Sequence, residues 1–272
     1  MKFLIFLLLC ACVYFSYAIN LYLGIAVSLI AIIYLIAKIV PFFYRYKSRK
    51  ALANGKFHDA KVLYQKALKY MTTNFEAKME YTYILMRTGD FVEAQQNMDR
   101  LLSYKLEPQK RNLAILQRCM CYYKNNNLDE AYKDASELYD DGYRSIMLYG
   151  LLGYFKLLKA PKSKDTFDFC MEAYEYADDD RDICDNLLMC YYNNEEYSKA
   201  KEISDKIIEK TPKFVEAWYH AAQVDVALGN YKSAKEKLSN IPYCNRSNMT
   251  TIPEKDVDKL TNIVNNKLKE KE

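Results

Sequence analysis

The sequence predicts an all-α chain: an N-terminal transmembrane helical hairpin, then an α-solenoid of about six helix pairs, then a C-terminal capping helix. Three observations predict it. Residues 3–43 are almost wholly apolar, and Ser16-Tyr17-Ala18-Ile19-Asn20 is the only polar interruption of any size. The phrase Gly-x-aromatic-x-x-Ala occurs at Gly55/Phe57/Ala60, Gly89/Phe91/Ala94 and Gly229/Tyr231/Ala234, the first two copies 34 residues apart. A period of that length marks an array of helical repeats. Apolar residues make up 51% of the chain, with only 7 Gly and 6 Pro, which favours long helices over strands.

One straight helix over 3–43 would reach roughly 60 Å, about twice the bilayer core. The chain must therefore bend at residues 16–20, giving spans near 3–17 and 21–42. Tyr14, Tyr17 and Tyr22 fall at the outer interface, where amphipathic rings are favoured. Lys38 snorkels to the inner side beside Phe42, Phe43 and Tyr44. Lys2 before the first span and Arg45, Lys47, Arg49 and Lys50 after the second place both ends in the cytoplasm. Two other readings stay open: a cleaved signal peptide ending Ser16-Tyr17-Ala18 with 21–42 as sole anchor, and a lipoprotein using Leu9-Cys10-Ala11-Cys12. With no Asp, Glu or His in either span, the segment reads as an anchor rather than an ion path.

Aligning on the repeated phrase gives units at 41–74, 75–108, 112–145, 181–214 and 215–248. The third keeps Leu128 and Ala131 but has Asn126 for Gly, and the fifth carries Tyr197, Ala200 and Pro212. From Asn126 to Glu195 is 69 residues, about two periods, so a fourth unit lies near 146–180, its turn distorted by Ala160-Pro161-Lys162. The physical roles are plain. Gly or Asn supplies a left-handed turn, the aromatic packs at the start of the next helix, and Ala lets two helices approach closely. Residues 253–271, with Val257, Leu260, Ile263, Val264 and Leu268 on one stripe, suit the C-terminal cap. The expected domains are 1–43 (anchor), 44–248 (array) and 249–272 (linker and capping helix).

At these residues the chain resembles the tetratricopeptide repeat (TPR) superfamily over about 41–248, best in the last unit through Trp218, Gly229, Tyr231 and Ala234, with Ala222 where Gly is usual. The combined architecture is similar to that of membrane-anchored bacterial-type TPR proteins. The resemblance implies that the first helix of each pair lines a groove for a partner. By alignment the lining residues are Met79, Tyr83, Met86, Met120, Tyr123, Tyr154, Met189, Tyr192 and Tyr219, together with Lys124 and Gln223. Such side chains suit an extended or helical peptide. They equally suit packing between helices, and both readings stay open. The basic clamp that some relatives use for a terminal carboxylate is absent from the matching positions.

Composition narrows the function classes. Setting Lys2 and Lys38 aside leaves 37 of 39 basic side chains against 35 acidic ones, which argues against nucleic acid as main ligand. The eight Cys form no C-x-x-C pair, and Cys119-Met-Cys121 diverges around a helix, so the expectation is reduced, mostly buried thiols and no metal. Gly150-Leu-Leu-Gly153 lies within a helix as a close-packing site, and Asp178-Asp179-Asp180 caps a helix rather than binding calcium. His58 and His220 are 162 residues apart without an evident acid partner. No catalytic constellation or cofactor site can be assembled. The expected function is therefore a non-enzymatic, membrane-anchored scaffold binding a protein or peptide at the cytoplasmic face. The alternatives are an exported envelope-structure protein and a regulatory accessory subunit of a membrane enzyme.

Overall fold

The computed structural model describes residues 2–69 and 75–270; the side chains of residues 2–6 and of Lys38 lie outside the description. The roles expected of Lys2 and Lys38 therefore fall outside the described residues. Every α or 3-10 element found is helical, and the chain divides into two compact units, Met1–Ala77 and Lys78–Glu272.

The first unit holds α1 (Lys2–Ile19), α2 (Leu21–Ala53) and α3 (Phe57–Leu68). Asn20 separates α1 from α2 and caps α2, its side chain accepting from Tyr22 N–H at 2.8 Å. The two helices pack together, and the Ser28 hydroxyl donates to Tyr17 Oη at 3.3 Å. Among the described residues α2 is the one helix long and apolar enough to cross a membrane; the apolar helix Leu7–Ile19 is shorter. By its 33 residues α2 is about 50 Å long. It does not stop where the apolar run stops. It continues through Pro41 into a polar turn and packs against α3, where buried Ser48 donates to the Ala60 carbonyl at 2.7 Å. Ala60, Tyr64 and Ala67 are fully buried on the inner side of α3.

The second unit contains α4 (Phe75–Thr88, its first turn crossing the division), α5 (Phe91–Leu102), α6 (Pro108–Lys124) and α7 (Leu128–Asp140). Then follow α8 (Ile146–Lys159), α9 (Lys164–Tyr176), α10 (Arg181–Asn193), α11 (Tyr197–Glu209), α12 (Val215–Ala227), α13 (Tyr231–Leu238) and α14 (Glu254–Lys269). From α5 to α14 each helix packs against the next, so apolar stripes are buried between neighbours. The fourth pair, α8 and α9, sits where the period required it. Ala94, Ala131, Ala200 and Ala234 are wholly buried at the close approaches.

The turns share one geometry. Gly55, Gly89, Asn126, Glu195 and Gly229 all have φ between 62° and 88°. After each, the next N–H returns to the carbonyl five residues earlier, as in Lys56 to Ala51 (2.9 Å), Asn127 to Tyr122 (2.9 Å) and Glu196 to Tyr191 (2.9 Å). This is a Schellman-type closure. The α8–α9 turn lacks it: Ala160 N–H reaches only Lys156, and Pro161 follows.

Inside α8, Gly153 serves close packing. A Cβ there would stand 2.9 Å from Asn186 Nδ2, and that amide donates to the Gly150 carbonyl at 2.8 Å. Asp180 caps α10 by accepting from Asp182 and Ile183 N–H at 3.0 and 3.1 Å. On α14, Leu260 and Val264 join the core around Trp218, with Val257 and Leu268 against it. Ile263 departs from the expected stripe and is exposed: it lies about 120° around the helix from the line through 257, 260, 264 and 268.

Glu195 is the bulkiest residue in a left-handed turn, and its exposed pair with Lys162 at 3.3 Å contributes little. Glu195→Gly should stabilise the chain by about 1 kcal/mol, raising the melting temperature by roughly 2–4 °C. Asn126→Gly should change it far less, because Asn tolerates this conformation. Thermal melts followed by circular dichroism check both.

Candidate partner-binding face

The first helices of the pairs in the second unit are α4, α6, α8, α10 and α12, and they carry all nine residues expected to line a groove. Their positions differ. Tyr83 is exposed, whereas Met79, Met120, Tyr123, Tyr154, Met189, Tyr192 and Tyr219 are half-buried. Met86 is only 4% exposed and belongs to the core, so it offers no surface to a ligand. It lies two residues before the end of α4.

The structure gathers the tyrosines into two adjoining clusters. Tyr123 of α6 and Tyr154 of α8 share a 2.7 Å hydroxyl–hydroxyl hydrogen bond, with their rings edge-to-face at 5.4 Å. Burial chiefly, then the Tyr123 hydroxyl, push the Tyr154 phenol well above its usual range, while a hydrogen bond with Thr251 acts the other way. Further along, burial raises the Tyr219 phenol, helped by Asp256 and Tyr192, and the Gln223 amide donates to Tyr219 Oη at 3.4 Å. Met189 and Tyr192 pack partly into the core between α10, α11 and α12. The Tyr123 and Tyr154 hydroxyls thus meet between α6 and α8, while Tyr192 and Tyr219 stand on α10 and α12.

Two charged groups complete the face. Burial lowers the Lys124 ammonium below its usual range, partly opposed by the negative charge of Glu216. Glu216 is the second residue of the sixth unit and is acidic, unlike the Tyr and Met residues expected to line the groove. It accepts from both Thr251 N–H (2.7 Å) and the Thr251 hydroxyl (3.0 Å). Lys124 Nζ donates to the Thr250 carbonyl at 3.2 Å. Part of the segment between α13 and α14 thus lies on this face, which nothing in the local sequence pattern announced.

The thiols suit packing rather than chemistry. Burial pushes Cys121 up to about 12 and Cys184 up to about 11, so both stay protonated. His220 has an acid partner after all, supplied from 35 residues away: Nδ1 lies 2.8 and 2.9 Å from the two Asp185 oxygens. The pair bridges α12 and α10 and is largely buried.

With this geometry in hand, the comparisons are coherent. A family model described as tetratricopeptide repeat matches residues 51–113. No curated protein matches the sequence. The structure is similar to that of a tetratricopeptide repeat protein from Parabacteroides merdae, with TM-score 0.64 and 11% identity, covering 94% of this chain and 98% of that one. A thermophilic TPR protein of Thermus thermophilus gives TM-score 0.56 at 11% identity, covering 70% of this chain and 98% of that one. Pseudomonas aeruginosa pilF gives 0.54 at 14%, covering 75% and 91%. These likenesses show a TPR-type α-solenoid fold.

The His220–Asp185 pair yields a pH signature. Burial alone would lower the His220 pKa, but the Asp185 charge and hydrogen bond override it, so the net shift is upward from 6.5. A raised folded-state pKa gives stability that is complete below the unfolded value and lost as pH rises through the folded one. Asp185→Asn should therefore cost about 1.5–3 kcal/mol at pH 5.5 and distinctly less at pH 9. Urea unfolding at the two pH values measures the difference.

Proposed function

We propose that the chain is a membrane-anchored scaffold whose repeats hold an extended protein or peptide partner at the cytoplasmic face. The observation that carries the anchoring is α2, which runs unbroken from an apolar stretch into the first helix pair. Ile25, Leu29, Ile33, Ile36 and Ile39 are exposed along it, and Leu8 and Phe15 along α1. Apolar surface on that scale calls for a covering phase, and the pairing of α1 with α2 supports a hairpin that enters and leaves one side. The sequence from 44 to 77 then carries eight Lys and Arg against only Asp59 and Glu76. A basic surface beside an apolar span favours the cytoplasmic leaflet and its anionic headgroups.

The partner reading rests on the face formed by α6, α8, α10 and α12. Its tyrosines offer rigid contact area with a polar tip, and Lys124 and Glu216 offer charge at defined positions. Tethering such a face to a bilayer confines whatever it holds and raises effective concentration there.

Two measurements test the two halves. Cys244 is half-buried and burial raises its thiol pKa, so it reports poorly on topology; Lys232, exposed on α13, is a better reporter. In intact cells, Lys232→Cys should react with an impermeant maleimide only after permeabilisation; immediate labelling without it would overturn the cytoplasmic placement. For the face, Tyr123→Ala with Tyr192→Ala should reduce crosslinked partner recovered from membranes about tenfold. Unchanged recovery would remove this face from consideration.

A further inference from the structure

The segment joining α13 to α14 does not take the short way over the surface. After a 3-10 turn at Ile241–Tyr243, residues 245–252 reach four of the first helices in the second unit. Asn245 N–H donates to the Lys213 carbonyl ahead of α12 at 2.8 Å. The Asn248 amide donates to the Arg87 carbonyl in the last turn of α4 at 3.1 Å, across 161 residues of sequence. Lys124 of α6 takes the Thr250 carbonyl, Tyr154 of α8 meets Thr251, and Glu216 of α12 accepts from Thr251 twice. Gly89 leaves room for this: a Cβ there would stand 3.1 Å from the Asn248 amide.

Each contact has the character of ligand recognition. The Arg87 carbonyl belongs to the last turn of α4 and accepts from the Asn248 amide. Lys124 reads a main-chain carbonyl, and Glu216 reads a main-chain N–H together with a hydroxyl. The segment itself is folded by its own short bonds, Thr250 N–H to the Ser247 carbonyl at 3.0 Å and Met249 N–H to Ser247 Oγ at 3.2 Å. Cys244 and Ile252 pin its two ends against the Trp218 core. It is tied at both ends and carries polar contacts between them.

We infer that residues 248–251 are a built-in occupant of the partner face, and that the partner is a peptide presenting the same groups on a tight turn, an Asn or Gln amide three residues before a Thr or Ser. Such a peptide must displace the segment to bind. The geometry excludes acidic partners at the hydroxyl position, because a carboxylate there would meet Glu216. This inference rests on the proposed reading of the face as a protein-binding surface and specifies its ligand.

The test uses the full chain in detergent micelles and a fluorescein-labelled peptide with the sequence of residues 245–252, followed by anisotropy. Asn248→Ala with Thr251→Glu, which releases the segment and leaves the helices untouched, should bind the peptide at least tenfold more tightly than the native chain. Adding Glu216→Gln should abolish that gain, and a peptide with Glu at the place of Thr251 should not bind. Thr251→Val alone, the mildest change, should move affinity in the same direction as the double variant. Equal affinity for native and released chains, or binding indifferent to Glu216, would overturn the inference. If that happens while crosslinking still depends on Tyr123 and Tyr192, the face stands and only the built-in occupant falls; loss of both dependences removes the face itself.

Discussion

The hydrogen bond that closes each turn is the constraint on which the array depends. One residue in left-handed backbone lets the following N–H return to a carbonyl five residues back, and this sets the antiparallel return of the second helix. Once the return is fixed, the buried Ala three residues into the next helix decides how closely the two helices approach. Neither helix of a pair has enough apolar surface to be stable alone, so the closure matters only because it aims each pair at the next. Where the closure is missing, between α8 and α9, the pair is held by side chains instead. Phe155, buried completely, and Phe169 pack from the two helices into one core.

Buried polar groups then fix which helix faces meet. Asn186 spans from α10 to a carbonyl of α8, and Asn97 of α5 donates to Thr82 of α4 at 2.6 Å and to the Lys78 carbonyl at 2.9 Å. Asp225 of α12, wholly buried, is met by Lys237 and Ser233 of α13, each at 2.6 Å. A slip of one residue would leave these groups unsatisfied, at a cost comparable to a lost core side chain. Apolar burial alone would permit several stackings. The polar pairs select one.

Much of this was legible because the repeat signal is local. A left-handed turn, a cap at Asp180 and a small residue at a close approach each depend on a few neighbouring residues, so Gly55, Asn126, Asp180 and Gly153 could be assigned from the chain alone, whereas Glu195 marked only the repeat spacing. The partner face was legible only in outline. Repeat position predicts Tyr123, Tyr154, Tyr192 and Tyr219 on one side, but it gave Met86 the same role, and Met86 is buried. His220 with Asp185, and residues 245–252 with α4, α6 and α8, join parts of the chain 35 to 161 residues apart. Such contacts follow from the accumulated geometry of the stack, and a short window of sequence does not contain it.

The unbroken course of α2 has a mechanical consequence. Within the first unit, the helix that emerges from the apolar stretch is the same rod against which α3 packs, and the Ser48 to Ala60 bond ties the two near their connecting turn. A helix transmits rotation about its own axis far better than a loop does. Pro41, the one interior residue unable to donate a backbone hydrogen bond, marks where that rod bends most readily. Under the proposed membrane anchoring, a change in tilt or lateral pressure would reach the α2–α3 pair as a torque, with Pro41 as a built-in joint between the apolar stretch and the first helix pair.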